Sequence, residues 1–357
     1  MHLPGSRRVR RIAVAAALAA AAGGLVAGIL GATGTGSGTS AAAPATRVLD
    51  ITAVPTERAF VNNADDRQRG KGNNPFGNYA AIDPATTSER LSGPFPGDEG
   101  LFSYRVTSVS GGVRTSGTAA LACEYGFERS ALCQASYSFG DGTLNATGSF
   151  RAGSRSFTLT VTGGTGAYLE ARGVLRARVA PGGARSAFGI VLEAQRIHVS
   201  LERPRAGART RLSSYSVAHQ ESFVHNGDDE MRGDAARPFS TSAQVARAAR
   251  RSSRTSPVPG DQALFRFAVY ADDRLERASG SGTFMCRYLF AGDALCDATY
   301  ALPGGTMTAQ GVFSLDAPTI ALAVTGGTGR YRNASGAVQA SPVGGHAQRL
   351  TFSIGTA

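Results

Sequence analysis

Val161-Thr162-Gly163-Gly164-Thr165-Gly166 recurs unchanged, 163 residues further along, as Val324-Thr325-Gly326-Gly327-Thr328-Gly329. The same shift carries Phe60-Val61 onto Phe223-Val224, Asp65-Asp66 onto Asp228-Asp229 and Arg69-Gly70 onto Arg232-Gly233. It carries Pro96-Gly97-Asp98 onto Pro259-Gly260-Asp261, Cys123 and Cys133 onto Cys286 and Cys296, and Tyr137 onto Tyr300. A unit of about 150 residues is too long for a solenoid repeat, so the chain is read as a duplicated domain. The expected layout is a leader and spacer over 1–45, a first domain over 46–201, a linker over 202–211 and a second domain over 212–357.

Within each unit the pattern is that of strands. Apolar and hydroxyl side chains alternate through Ser156-Phe157-Thr158-Leu159-Thr160-Val161, so one face is buried. Ile320, Leu322 and Val324 keep the same phase in the second copy. Gly-rich turns such as Gly140-Asp141-Gly142 and Pro181-Gly182-Gly183 separate short segments, and no amphipathic helix interrupts them. The expected fold is all-β, with two tandem eight-stranded antiparallel barrels. A barrel is preferred to a sandwich because closure removes exposed sheet edges.

The 357 residues carry 37 basic and 26 acidic side chains, with Lys71 the single lysine and no tryptophan. Four of the arginines (Arg7, Arg8, Arg10, Arg11) precede the Ala/Leu/Val/Gly run Ile12–Leu30. That order is a secretory leader, with small residues around Ala43-Pro44-Ala45 suited to cleavage. Ser6-Arg7-Arg8 partly matches a twin-arginine signal, and an uncleaved membrane anchor is the alternative. The remaining positive balance is modest for an exported chain. It argues for solubility and weak contact with an anionic cell envelope, not for a nucleic-acid partner.

Four cysteines in an exported chain, two per unit at the same spacing, are expected to form one disulfide in each unit. Cys123 and Cys133 flank the turn-like Gly126–Ser130 and could face one another across neighbouring strands. Neither pair has CxxC spacing or a nearby histidine, which disfavours a redox couple or a metal site.

The stretch from Val161 through Ala167-Tyr168-Leu169-Glu170-Ala171-Arg172-Gly173 resembles the V-x-G-G-T-G-x-F-x-x-A-R-G signature of dirigent proteins. Asp141–Asn145 looks like the strand start that precedes it, and Phe76-Gly77-Asn78 with Asp83-Pro84 is similar to another family stretch. Leu302–Gly311 resembles a segment of bacterial members of the allene oxide cyclase/dirigent barrel superfamily. The resemblance implies an eight-stranded antiparallel barrel with an apolar central cavity that steers a reactive small molecule. The second copy departs from it, with Ser335 in place of Arg172.

Tyr137 and Tyr300 stand at equivalent strand positions, where a phenol could hydrogen-bond a ligand or simply fill the core. Arg172 is read as a cavity cation or a turn residue. Asp65-Asp66 and Asp228-Asp229 are candidates for a cavity mouth, a loop cap or a calcium site lacking EF-hand spacing. The Gly163–Gly166 run has no P-loop Lys-Ser/Thr, so a tight strand connection is preferred to a phosphate cradle. The basic run Arg247, Arg250, Arg251, Arg254 is read as a solvated loop. No nucleophile–base–orienter set is visible, and no cofactor or metal is expected. Three functions fit this sequence. One is a secreted barrel that binds a small hydrophobic or phenolic molecule, as carrier or director of a reaction; the others are a cyclase or isomerase without cofactor, and a structural or adhesive envelope protein.

Overall fold

The computed structural model describes residues 47–61, 94, 96–181, 189–202, 209–224, 230–231, 257–344 and 346–355. The leader, the pairs Asp65-Asp66 and Asp228-Asp229, the stretch around Phe76–Asp83 and the Arg247–Arg254 run lie outside the described residues. Among the described residues no helix is long and apolar enough to cross a membrane.

Both halves are closed antiparallel barrels. The first consists of β1 (Arg47–Val61), β2 (Glu99–Ser110), β3 (Val113–Tyr125), β4 (Ser130–Phe139), β5 (Gly142–Arg151), β6 (Ser156–Gly164), β7 (Gly173–Val179) and β8 (Gln195–Leu201). Each strand pairs with the next, and β8 returns to β1 through Arg47↔Leu201 to Ala53↔Gln195. The second barrel opens with β9 (Arg209–Val224). The two-residue strand β10 (Glu230–Met231) then pairs with the far end of β1. The second barrel continues through β11 (Gln262–Tyr270), β12 (Ala278–Tyr288), β13 (Asp293–Leu302), β14 (Gly305–Ser314), β15 (Ile320–Gly327), β16 (Ser335–Gly344) and β17 (Ala347–Gly355), which closes on β9. The long strand β1 changes register between Pro55 and Glu57. Proline has no N–H for the ladder, so a bulge is where a strand tolerates it.

The repeated glycine signature makes the same connection in each copy. Thr165 Oγ1 accepts from the Thr143 backbone N–H at 3.2 Å and lies 2.8 Å from Thr143 Oγ1; Thr328 and Thr306 repeat this at 3.1 and 2.7 Å. Gly166 and Gly329 sit at φ +58, where a Cβ would strike the backbone carbonyl of Asp141 or Gly304. The run is therefore a closely packed strand-to-turn joint, held by its threonine.

Cys123 faces Cys133 across β3 and β4, and Cys286 faces Cys296 across β12 and β13. Both pairs are disulfides, with Cα atoms 4.1 Å apart. All four cysteines are buried within the barrel cores.

The two barrels form one compact unit. At their junction Ala59, Leu101 and Ala122 of β1, β2 and β3 pack with Leu289, just past β12, and Leu295 of β13. Glu99 and Arg287 close one side: Arg287 Nη2 donates to Glu99 Oε1 at 3.0 Å, and Nε lies 3.0 Å from Oε2 without the alignment of a hydrogen bond. Burial raises the Glu99 carboxyl pKa, and the nearby Arg287 guanidinium opposes the rise.

Candidate functional site

Inward-facing positions of the two barrels correspond one to one, yet the interiors differ. In the first barrel Phe60, Phe102, Tyr104 and Tyr137 are all buried in a continuous apolar core. The connection from β7 to β8, residues 180–194, explains part of this. It ends in a 3₁₀ turn at Gly189–Leu192 whose Ile190 and Val191 are buried in that core. Tyr104 Oη donates to the Val191 carbonyl at 2.7 Å, Gln195 Nε2 to the Ile190 carbonyl at 3.1 Å, and Ile190 N–H to the Ser154 carbonyl at 2.9 Å. The first barrel is plugged at this end by its own chain.

In the second barrel the equivalent strands β16 and β17 are joined by the short link from Gly344 to Ala347, so this connection supplies no plug. Phe265 and Phe267, the counterparts of Phe102 and Tyr104, are only partly buried. Phe223 is 52% exposed, whereas its counterpart Phe60 is 3% exposed. From Phe223 a chain of ring contacts runs inward, to Phe265 at 5.9 Å, Phe267 at 6.1 Å, Phe284 at 5.4 Å, Tyr300 at 6.0 Å and Phe352 at 5.1 Å. Most of these contacts are edge-to-face, the arrangement in which ring quadrupoles attract.

Tyr300 lies at the inner part of this chain and is 2% exposed. Burial pushes its phenol pKa far up, so the hydroxyl is neutral across the physiological range. Its ring packs edge-to-face against Phe284 and Phe352, and its oxygen is not one of the buried polar atoms left without a hydrogen bond among the described residues. A ligand oxygen that reached it would meet a neutral hydroxyl able to donate or accept. Tyr137 is equally buried and its phenol pKa is raised in the same way, but it sits behind the plug. The geometry thus separates two tyrosines that sequence makes equivalent.

Arg172 lies between the barrels and not in either lumen. Its Nη1 donates to the Thr162 carbonyl at 3.1 Å and the Thr325 carbonyl at 3.4 Å, and Nη2 to the Ala334 carbonyl at 3.5 Å. As a donor-only group it satisfies three carbonyls at a joint where strands end, so it works as an inter-barrel clamp. Among the described residues no group of His, Cys, Asp and Glu is arranged to hold a metal ion.

The aromatic chain was absent from the candidates drawn from sequence. Its signal lies in the differences between the copies, where Tyr104 becomes Phe267 and Leu121 becomes Phe284 while the segment corresponding to the plug is missing.

No protein-family model matches the chain, and no curated protein matches it. Among solved structures it is similar to a chain described as pyocyanin demethylase, at 16% identity and a TM-score of 0.30, covering 41% of this chain and 100% of that one. A likeness of that size bears on neither fold nor function.

Proposed function

We propose that this is an exported binding protein whose second barrel takes a small hydrophobic or phenolic molecule, while the first barrel serves as its scaffold. The observation that carries the proposal is the partly exposed row Phe223–Phe265–Phe267 leading through Phe284 to the buried Tyr300. Ligand sites are mostly apolar concavities with a few placed polar groups, and this lumen has that composition. Disulfides in both barrels are compatible with an oxidising, extracellular setting. The plugged first barrel supports a structural role for that half.

The test uses 2-naphthol, a neutral fluorescent phenol, in a chain free of tryptophan background. Saturable binding of one molecule per chain, weakened by Phe267→Asp and unaffected by Tyr104→Phe, is the expected result. Absence of binding, or binding unaffected by Phe267→Asp, would overturn the proposal.

A further inference from the structure

The outer face of the first barrel carries a groove of about 620 Å³ that the lumen does not explain. Its lining follows from strand register. Asp50, His198, Arg176 and Thr158 form one cross-strand row over β1, β8, β7 and β6, and Thr52, Arg196, Arg178 and Ser156 form the next. All eight side chains alternate with the buried Ile51, Ile197, Ala177 and Phe157, so they point outward.

Arg178 stands directly opposite Arg196, and Arg176 lies two residues from Arg178 on the same face. Like charges directly opposite on a sheet repel. None of the three guanidinium groups has an ion pair or hydrogen bond among the described residues. The one acidic group in the lining, Asp50, is taken by His198, whose Nδ1 lies 2.9 Å from Oδ1. Three uncompensated cations therefore converge on a concave surface with hydroxyls from Thr52, Ser156 and Thr158 beside them.

The duplication supplies an internal control. By the same register the second barrel has Ser213, Thr351, Gln339 and Ala321 in the first row and Tyr215, Arg349, Ser341 and Thr319 in the second. Its single cation, Arg349, lies over the Tyr215 ring at 5.5 Å. The barrel frame thus does not require the arginine pair, and the repulsion belongs to one copy alone.

We infer that this groove is an anion site for a small phosphomonoester, with Arg178 and Arg196 gripping the phosphate, Arg176 adding charge, and the Asp50–His198 pair and neighbouring hydroxyls meeting the rest of the molecule. Guanidinium pairs match phosphate oxygens in forked hydrogen bonds. The groove has the size of a small-molecule site, not of an extended basic surface suited to a membrane or a polymer. This site is separate from the second-barrel lumen, so either can fail alone.

The test is calorimetric titration of the full chain with glycerol phosphate, against glycerol and inorganic phosphate, with parallel sedimentation on phosphatidylglycerol vesicles. The expected result is saturable binding of glycerol phosphate at one per chain, absent for glycerol. Arg196→Ser and Arg178→Ser should each weaken it roughly tenfold or more, the loss expected for one charge-assisted hydrogen bond. Arg349→Ser should leave it unchanged. In ligand-free buffer Arg196→Ser should also melt no lower than the parent, since it removes a repulsion, and circular dichroism checks that the variant is folded. Equal weakening by Arg349→Ser, binding to vesicles only, or no binding by a folded parent would overturn the assignment.

Discussion

Gln134 and Asp297 occupy the same position in the two repeats and touch each other: Gln134 Nε2 lies 3.4 Å from Asp297 Oδ1 and 3.3 Å from Oδ2. A residue that meets its own counterpart lies near a local two-fold axis, as in the self-complementary interface of a symmetric dimer. Thr162 and Thr325, also equivalent, offer their carbonyls to one Arg172 side chain. At this part of the junction the barrels therefore meet through equivalent strands, but its apolar part is not symmetric: Leu295 is buried there while its counterpart Leu132 is exposed. Sequence has since broken the symmetry. The carboxylate stands only at 297, where it also accepts from Gln310 Nε2 at 2.9 Å, and the arginine stands only at 172.

Asp297→Ala should loosen this junction. It strands two amide donors, Gln134 and Gln310, each of which forgoes about 1–3 kcal/mol if buried without a partner. Urea unfolding of the parent is expected as one cooperative transition. In the variant the loss should fall on the coupling between barrels, so the transition broadens or splits. A single transition of unchanged midpoint would refute the role given to this contact.

The Glu99–Arg287 pair makes the junction sensitive to pH. The folded pKa of Glu99 is raised above its ordinary value of 4.5, so the fold holds that proton longer than the unfolded chain does. Stability from this group is full below the ordinary value and falls as pH rises through the folded value. Glu99→Gln keeps an acceptor for Arg287 and should remove that part of the slope, read as the difference in unfolding free energy between pH 4 and pH 7. Arg287→Met, by contrast, leaves a buried carboxyl without its cation. It should cost about 3–5 kcal/mol at neutral pH.

The disulfides allow a comparison between halves. Each closes a short loop of the same length, so loss of either is worth roughly 3 kcal/mol in the chain-entropy account. Cys286→Ala with Cys296→Ala should nevertheless lower the midpoint more than the matching pair of changes in the first barrel. The first interior has the plug and a continuous core to hold it, and the second has partly exposed rings. Thermal melting of the two double variants decides between this order and its reverse.

Much of the fold was legible because duplication doubles every signal. The glycine-threonine signature, the paired cysteines and the period-two alternation at Phe157, Leu159 and Val161 each appear twice in register. The site was less legible, for a physical reason. Tyr137 and Tyr300 are identical by position, and what separates them is Ile190 and Val191, contributed by a connection far along the chain. Burial by a distant plug leaves no local pattern. Arg172 was misleading in the same way, since its partners Thr325 and Ala334 belong to the other repeat.

Ile190→Ala tests the plug. Ile190 is fully buried, and trimming a buried isoleucine to alanine costs about 2–5 kcal/mol depending on how far the site collapses. The gap lies beside Tyr104 and the interior it seals. The variant should therefore gain a second, weaker 2-naphthol site in the first barrel, visible as a stoichiometry rising from one toward two. A destabilised variant that still binds one molecule would mean that the first interior is too tightly packed to open.

Tyr300→Phe isolates the hydroxyl from the ring. The change removes one oxygen and leaves the buried ring in place, so stability should move by no more than about 1.5 kcal/mol, the net worth of a single hydrogen bond. The ring keeps its contacts with Phe284 and Phe352, so naphthalene binding should survive. What should be lost is the preference for 2-naphthol over naphthalene, because a polar site discriminates by leaving its own group unpaired with the wrong ligand. Titrating both compounds into parent and variant gives four affinities. A preference that persists in Tyr300→Phe would place the ligand's hydroxyl elsewhere in the lumen and remove Tyr300 from the site.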